Sequence, residues 1–398
     1  MNKMLTGKQR NDVLLTMAGL IASERAQILA VNKIDVDNYN GDDLAMFDRL
    51  KVDDDKIDGM ILSLQQLIED QDPLSKELYS FKHDNGLKII NKTAPFGTVF
   101  IIYESRPDVT VEAAGIAFKS GNKILLKGGK ESVKSNLVIV DLWHKALSIN
   151  NISTNWVEYL NYNRAETQAF LENPTQKIDL IVPRGGEQLI AFTKKYAKCP
   201  VIVSGRGNNF VYVDTDADLD IALRVILNGK TTKISACNAI DKVLINSNLL
   251  NKESFIKTLI EKLRDSKVEI MVDAELASFE NVSKITDAEI WFEEFLDYKI
   301  VIGSVTSTEE AISKINKYGG GHSAVIITKN SETALEFMES VDSAAVYQNA
   351  STRFTDGGQF GLGGELAIST DKLHHRGPMG LQHLVTNKWY IFGDGQIR

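Results

Sequence analysis

The fold is decided between residues 98 and 204, where the chain reads Thr98-Val-Phe-Ile-Ile-Tyr and then Lys123-Ile-Leu-Leu-Lys. Three more short apolar runs follow, Trp156-Val-Glu-Tyr-Leu, Leu180-Ile-Val-Pro and Val201-Ile-Val-Ser. Helical patterns separate most of these runs, notably at 132–146 and 164–171. Such alternation predicts an α/β fold, with a parallel sheet covered by helices on both faces and a ligand at the carboxyl ends of its strands.

Glycine-containing turns follow three of these predicted strands, as Gly128-Gly129, Arg184-Gly185-Gly186 and Gly205-Arg-Gly207. A phosphate can approach the backbone closely where no Cβ intervenes. None of the three turns matches the GxGxxG dinucleotide fingerprint. Each is therefore explained equally well as an ordinary turn.

A second α/β region begins near residue 230, and other elements flank the two regions. The second region has predicted strands at 242–246, 299–303 and 324–328 and helices at 254–264 and 308–317. Residues 5 to about 70 follow helical spacing. An Asn-Gly turn within residues 80–92 predicts a protruding β-hairpin, and the tail from Asn387 predicts a final strand that pairs with it.

Composition limits the class of protein. A chain of 398 residues is too long for one compact core and suggests two or three domains. The net charge of −8 argues against a nucleic-acid surface. The two cysteines cannot build a disulfide framework, which favours a cytoplasmic protein. The apolar run at 13–22 follows helical spacing and predicts an amphipathic first helix, not a signal peptide, and no stretch is long enough for a membrane span.

Cys237 is the candidate catalytic residue. It lies among small and polar residues in Lys230-Thr-Thr-Lys-Ile-Ser-Ala-Cys-Asn-Ala, just before a predicted strand. A thiolate at such a position is accessible to a ligand, and nearby backbone N–H groups or the cations Lys230 and Lys233 could lower its pKa. The alternative is a small buried hydrophobic residue, which is the usual role of an isolated cysteine.

Six blocks carry a family resemblance: Ala94-Pro-Phe-Gly-Thr-Val-Phe-Ile-Ile-Tyr-Glu-Ser-Arg-Pro-Asp-Val-Thr-Val, Lys127-Gly-Gly-Lys-Glu, Val182-Pro-Arg-Gly-Gly, Ala236-Cys-Asn-Ala, Asn349-Ala-Ser-Thr-Arg-Phe-Thr-Asp-Gly-Gly-Gln-Phe-Gly-Leu-Gly and Leu373-His-His-Arg-Gly-Pro-Met-Gly-Leu. Together they resemble the γ-glutamyl phosphate reductase family of the aldehyde dehydrogenase superfamily. The resemblance implies a Rossmann-type nicotinamide-cofactor domain at 1–79 and 95–229 and a catalytic α/β domain at 230–384. It also implies a small β oligomerisation element at 80–94 and 385–398.

The resemblance further implies NADPH-dependent reduction of L-glutamyl 5-phosphate to L-glutamate 5-semialdehyde in proline biosynthesis, through a thioester on Cys237. Family members act as homo-oligomers, and channelling with a glutamate 5-kinase stays open. Aldehyde dehydrogenases that hydrolyse their thioester carry a general-base glutamate in the stretch that corresponds to residues 200–209, which contains no acid here. Its absence favours a reductase that exchanges phosphate.

Site residues are implied by the same blocks. The predicted substrate contacts are Arg106, Asn349, Arg353 and Arg376, since a guanidinium binds a phosphate or carboxylate bidentately. The predicted cofactor contacts are Lys127, Gly128, Gly129, Lys130, Arg184, Gly185, Gly186 and Glu294. The spacing of His374, His375 and His383 fits no zinc motif, so no metal is expected.

Two positions depart from the family pattern and leave the substrate open. The chain has Asn208-Asn209 where a Cys-His pair is common, and Ala324 where an acid is common. One alternative is therefore an aldehyde dehydrogenase-like enzyme that acts on another acyl phosphate or aldehyde, which a test of phosphate dependence would distinguish. Another is a non-catalytic relative that binds a nucleotide or a partner, for which loss of the cysteine would have been the signal.

Overall fold

The computed structural model describes residues 4–398 and divides into two compact units. Unit 1 comprises the chain up to Ser204 together with Gly361–Ala367 and Met379–Arg398. Unit 2 comprises Gly205–Phe360 and Ile368–Pro378. The chain thus passes from unit 1 to unit 2 and back more than once.

Unit 1 opens with the predicted helical region, which forms α1 (Gly7–Ser23), α2 (Arg25–Asp37), α3 (Leu44–Leu50) and α4 (Asp54–Glu69). The first helix begins with a capping box, in which the Thr6 side chain accepts from the Gln9 N–H and the Gln9 side chain accepts from the Thr6 N–H. Within residues 4–398, no single helix is long and apolar enough to cross a membrane. α1 and α2 meet the length and composition criteria only as a pair, and they are bent by 71° at their junction.

A hairpin and a parallel sheet follow. The hairpin strands are β1 (Glu77–Lys82) and β2 (Lys88–Pro95), and the sheet elements are β3 (Thr98–Tyr103), α5 (Val109–Lys119), β4 (Lys123–Lys127), α6 (Val133–Ile149), β5 (Val157–Tyr159), α7 (Arg164–Glu172), β6 (Leu180–Arg184) and α8 (Glu187–Tyr196). The sheet is parallel, with the order β5-β4-β3-β6. The strand order reverses at β3, so the switch point where such sheets bind ligands lies between the carboxyl ends of β3 and β6.

Both faces of this sheet are buried, as a parallel sheet requires. In β3, Val99 and Ile101 pack into one hydrophobic cluster with the N-terminal helices, and Phe100 and Ile102 pack into a second cluster on the other face. The near-continuous apolar sequence of β3 follows from this double covering.

Unit 2 is a second parallel α/β layer. Its elements are β7 (Asn209–Val213), α9 (Leu219–Thr231), β8 (Ile240–Asn246), α10 (Lys252–Asp265), β9 (Glu269–Val272), β10 (Ser283–Lys284), β11 (Lys299–Val305), α11 (Thr308–Tyr318), β12 (Ser323–Ile327), α12 (Ser331–Ser340) and β13 (Ala345–Gln348). The strand order is β10-β9-β11-β8-β7-β12-β13. The predicted α/β fold class is therefore confirmed, with parallel sheets in both units.

The remaining strands are β14 (Ala367–Ser369), β15 (Gly377–Met379) and β16 (Val385–Phe392). β14 and β15 form a two-stranded sheet, and β16 pairs antiparallel with β2 in a three-stranded sheet of order β1-β2-β16. The predicted pairing of the tail with the hairpin is confirmed.

Two details differ from the sequence predictions. Residues 201–204 do not form a continuous strand, since Val201 and Ser204 make only isolated bridges, that of Val201 with Ile181. The boundary between the units lies at 204/205, whereas the predicted domain boundary was 229/230. The reason is that β7 pairs with β8 and β12, so residues 205–229 belong to the sheet of unit 2.

Candidate active site

The Cys237 loop connects α9 to β8 and lies at the amino-terminal edge of the unit 2 sheet. The thiol is exposed. Asn209, at the start of β7, is hydrogen-bonded to the backbone of the loop. Its Nδ2 donates to the Cys237 carbonyl oxygen at 2.8 Å and to that of Ala239 at 2.6 Å. Its Oδ1 accepts the Ser323 N–H at 3.0 Å, which ties the loop to β12.

Gly207 explains how the loop comes so close to β7. A Cβ on Gly207 would collide with the backbone of Cys237, so only glycine permits this approach. The backbone carrying the thiol is therefore fixed by one amide side chain and one glycine. The thiol itself stays accessible, as a nucleophile must.

The two ends of the loop are joined by a buried ion pair. Lys230 Nζ lies 2.7 Å from Asp241 Oδ1, and both side chains are almost completely buried. The predicted influence of Lys230 on the thiol is not supported, since its charge is directed into the core and is compensated by Asp241.

The segment that contains Arg353 is hydrogen-bonded to the Cys237 loop at Asn238, the residue after Cys237. Asn238 Nδ2 donates to the carbonyl oxygens of Arg353 and Thr355, and the Thr352 hydroxyl donates to the Asn238 carbonyl at 2.6 Å. Nε and Nη1 of Arg353 are buried and have no hydrogen-bond partner within residues 4–398. Such a guanidinium requires an anion or water.

A cavity of about 340 Å³ adjoins this position, and it is lined by Asn228, Thr232, Asn238, Arg353, Phe354, Asp356 and Gln359. Its size suits a small ligand. Cys237, Asn238 and Arg353 thus form one local cluster in unit 2.

Asn349 and Arg376, by contrast, have intramolecular partners. Asn349 follows β13, and its side chain accepts from the Thr328 N–H and donates to the Thr328 carbonyl at the carboxyl end of β12, the sheet edge opposite the Cys237 loop. Arg376 binds the Asp342 carboxylate at 2.6 Å and the Thr370 carbonyl at 3.1 Å. Neither belongs to the cluster around Arg353.

Arg106 lies in unit 1, after β3 at the switch point. Its Nη2 lies 2.6 Å from Asp108 Oδ2. Burial opposes ionisation of Asp108, but the charges of Arg106, Lys56 and Arg184 together outweigh that effect, and the pKa of the carboxyl is lowered. Arg106 is therefore held in an ion pair at the start of α5.

The turn after β4 contains Lys127, Gly128, Gly129 and Lys130. Burial lowers the pKa of Lys127, and the Glu131 carboxylate opposes the effect. The Lys130 side chain is exposed, whereas Glu131 accepts a hydrogen bond from the Ser105 hydroxyl at 3.1 Å.

The glycines of the two unit 1 turns have packing roles. A Cβ on Gly128 would collide with Asn136, and one on Gly185 would collide with Glu104. Gly186 has more room, and its N–H donates to Glu104 Oε2 at 3.1 Å. Gly186 is also the N-cap of α8, so the Glu104 carboxylate lies at the N-terminus of this helix. Arg184 ends β6 immediately before these glycines.

Glu294 lies in unit 2, in the segment between a short 3-10 turn and β11. Its side chain is half-buried. The backbone on both sides of it is held by side chains of β8, because the Glu293 carbonyl accepts from Lys242 and the Phe295 N–H donates to Asp241.

The structure also shows the contacts and burial of the residues that depart from the pattern of the resembled family. Asn208 Nδ2 donates to the carbonyl oxygens of Trp291 and Tyr318, and Ala324 is fully buried in the core of unit 2. The role of Asn209 in holding the loop was not predicted, although a polar pair directly before an apolar strand was a visible signal.

The histidines support no metal centre. Within the described chain, no group of three or more His, Cys, Asp and Glu side chains is placed to hold a metal ion. His383 instead accepts the Gly380 N–H through Nδ1 at 3.0 Å.

Comparison with known proteins agrees with this geometry. The aldehyde dehydrogenase family model matches residues 2–278 and 279–389. A γ-glutamyl phosphate reductase from Clostridium beijerinckii is 41% identical over 98% of this chain and 94% of the relative. One from Dictyoglomus thermophilum is 39% identical over 99% of this chain and 95% of the relative.

Solved structures agree as well. The crystal structure of the γ-glutamyl phosphate reductase of Thermotoga maritima has a TM-score of 0.93 and 38% identity, and the match covers 99% of this chain and 95% of that one. A glyceraldehyde-3-phosphate dehydrogenase from Methanocaldococcus jannaschii, solved with NADP, shares the fold at a TM-score of 0.69 and 15% identity, over 98% of this chain and 90% of that one. The chain therefore belongs to the aldehyde dehydrogenase family and, within it, to the γ-glutamyl phosphate reductases.

Proposed function

We propose that this protein reduces L-glutamyl 5-phosphate to L-glutamate 5-semialdehyde with NADPH, releasing phosphate through a thioester on Cys237. The observation that carries the proposal is the cluster in unit 2, where Cys237 is exposed and the next residue, Asn238, is hydrogen-bonded to the backbone of Arg353. Nε and Nη1 of Arg353 are buried and have no hydrogen-bond partner among the described residues. The relatives at about 40% identity carry the same activity in their names.

The chemistry begins at Cys237 Sγ. The thiolate attacks the acyl carbon, the bond from that carbon to the phosphate oxygen breaks, and phosphate leaves with the electron pair. The resulting thioester accepts hydride far more readily than a carboxylate does, and the reduced nicotinamide supplies that hydride when bound. The carbon–sulfur bond then breaks, which releases the aldehyde and regenerates the thiolate.

Water must not compete for the thioester. A carboxylate beside the acyl group would activate water as a general base. The stretch 200–209 contains no acid, and the position next to the loop is taken by the amide of Asn209. The thioester is therefore left for hydride, or for phosphate in the reverse direction.

Arg353 is the proposed contact for an oxyanion of the substrate, because its buried Nε and Nη1 have no hydrogen-bond partner in the described chain. Arg106, Asn349 and Arg376 were also predicted to contact substrate. Each of these already has an intramolecular partner, so a substrate contact by any of them would require that partner to be exchanged or shared.

The cofactor contacts are proposed for three places. Lys127 and Lys130 would bind the phosphorylated ribose of NADPH. The N-terminus of α8 after Arg184-Gly185-Gly186 would bind the pyrophosphate once Glu104 releases the Gly186 N–H. Glu294 would accept hydrogen bonds from the nicotinamide ribose. The exposed cation at Lys130, with Glu131 bound to Ser105, favours the 2′-phosphate of NADPH over NADH.

Substitution Lys130→Glu is expected to weaken NADPH binding by about tenfold to a hundredfold, corresponding to the ~1–3 kcal/mol of a charged contact, and to change NADH binding much less. The carboxylate would repel the 2′-phosphate, which NADH lacks. Titration of both cofactors by fluorescence measures the difference. Lys145→Glu, an exposed lysine of α6, is the matched control. Equal small changes for both cofactors would contradict the role of Lys130.

We also propose that the protein self-associates through the three-stranded sheet. Its edge strands β1 and β16 expose the apolar side chains of Leu78, Tyr79, Phe81, Trp389, Ile391 and Phe392. Edge strands with such side chains favour pairing with another chain, here a second copy. Light scattering is expected to give the molar mass of a dimer or a larger oligomer. The substitution Ile391→Lys is expected to lower that mass. A monomeric unsubstituted protein would contradict the proposal.

The function itself is tested by the reverse reaction. Glutamate 5-semialdehyde should reduce NADP only when phosphate is present. The same assay separates this activity from that of a hydrolytic dehydrogenase.

A further inference from the structure

A cluster of charged side chains is buried at the base of the Cys237 loop. It contains Lys230, Asp241 and Lys242, which are 0%, 2% and 0% exposed. Buried charges are costly unless each is paired and hydrogen-bonded, so their arrangement requires a reason. We call these three residues with Phe295 the clamp cluster.

Asp241 joins two separate segments of unit 2. Its Oδ1 lies 2.7 Å from Lys230 Nζ, and these two residues bracket the loop that carries Cys237. Its Oδ2 accepts the Phe295 N–H at 2.8 Å. One carboxylate therefore connects the base of the thiol loop to the segment that contains Glu294.

Lys242 holds the same segment from the other side. Its Nζ donates to the Glu293 carbonyl at 2.7 Å and lies 3.8 Å from the centre of the Phe295 ring. The ammonium thus makes a charge-assisted hydrogen bond and a cation–π contact. The residues immediately before and after Glu294 are both fixed by side chains of β8.

The backbone after Phe295 needs such support. Leu296 has a φ of 49°, in the left-handed region that residues other than glycine rarely adopt. Conformations of this kind persist where the surroundings determine them and occur often at functional sites.

We propose that Asp241 and Lys242 are positioning residues that hold Glu294 in place for the nicotinamide ribose and connect this contact to the base of the Cys237 loop. The inference rests on the proposed function, which assigns Glu294 to the cofactor. It adds two residues that touch neither substrate nor cofactor.

The contacts of Lys242 in the clamp cluster depend on pH, because they depend on the charge of its ammonium group. Burial lowers the pKa of Lys242 to about 7; Asp241, Glu293 and Glu294 favour its charged form, and Lys230 opposes it. Below that pH the ammonium makes both contacts at full strength. Above it the neutral amine loses the cation–π contact, so the hold on the Glu294 segment weakens as the pH rises.

The first test is Lys242→Met, which keeps the length of the side chain and removes the donor and the charge. The dissociation constant of NADPH, measured by fluorescence titration, is expected to rise about tenfold at pH 6.5. The ratio of this dissociation constant to that of the unsubstituted protein should become smaller toward pH 8.5, where Lys242 is neutral. Lys284→Met, at an exposed lysine of the same unit, is the control and should change nothing.

The second test separates the clamp from the buried ion pair. The double variants Lys230→Met/Asp241→Asn and Lys230→Met/Asp241→Ala both lack the pair and leave neither of its charges uncompensated. Only the asparagine variant keeps an acceptor for the Phe295 N–H. It should therefore bind NADPH about tenfold more tightly than the alanine variant, with similar rates of Cys237 alkylation in both.

Suppose that the unsubstituted protein binds NADPH. Equal NADPH dissociation constants for the two double variants, or an unchanged constant in Lys242→Met, would then overturn the inference but not the proposed function. Absence of NADPH binding by the unsubstituted protein would overturn the proposed function and the inference together. Circular dichroism at each pH shows whether a variant has folded. If either double variant fails to fold, Lys242→Met decides the inference.

Discussion

Replacement of Cys237 by serine is expected to lower turnover by about 10³-fold or more while NADPH still binds. A serine hydroxyl is not ionised near neutral pH without a strong base, so no nucleophile remains to displace phosphate. The loop should keep its conformation, because its contacts run through the backbone carbonyls that Asn209 holds. Steady-state kinetics and fluorescence titration measure the two effects separately.

Cys199→Ser is the matched control for this experiment. Cys199 is half-buried beside the hydrophobic cluster that contains Phe100 and Ile102, and burial raises the pKa of its thiol. A thiol of that kind is a poor nucleophile, so the variant should retain nearly full activity. If selective alkylation of Cys199 alone removed activity, the catalytic cysteine would have been assigned incorrectly.

Arg353→Lys is expected to raise KM for the acyl phosphate by about tenfold to a hundredfold, with little change in NADPH affinity. The lysine keeps a positive charge but lacks the planar fork that binds two oxygens of a phosphate or carboxylate. Nε and Nη1 of Arg353 are buried and have no hydrogen-bond partner among the described residues, so the loss should fall on the substrate. Kinetics with each substrate varied in turn measure it.

Arg224→Lys provides the comparison, since Arg224 is an exposed arginine of α9 in the same unit. Its kinetic constants should match those of the unsubstituted protein. An effect of Arg353→Lys confined to NADPH would contradict the assignment of Arg353 to the substrate.

Much of the fold could be predicted because local patterns were strong. The runs at 98–103 and 123–127 coincide with β3 and β4, since continuous apolar sequence is what a doubly covered parallel strand requires. The hairpin followed from its Asn-Gly turn. The boundary at 204/205 could not be predicted, because membership of β7 in the second sheet depends on pairing with β8 and β12, which the sequence of β7 does not encode locally.

The site was predictable in its residue types but not in its connections. Cys237 could be selected because few cysteines compete with it and its surroundings are small and polar. The sequence favoured Arg353 over Arg106 as a substrate contact, but only the three-dimensional contacts show that Arg106 and Arg376 are paired with Asp108 and Asp342. The proposed roles of Asp241 and Lys242 depend on contacts with the distant segment around Glu294, so no local sequence pattern indicated them.

The reverse assay shows whether this protein is a phosphate-dependent reductase that acts through Cys237. Purified protein is mixed with glutamate 5-semialdehyde and NADP, and NADPH formation is followed as phosphate is varied. We expect a rate that rises with phosphate, saturates and vanishes in Cys237→Ser. NADPH formation at an undiminished rate without phosphate would contradict it and would indicate a hydrolytic aldehyde dehydrogenase.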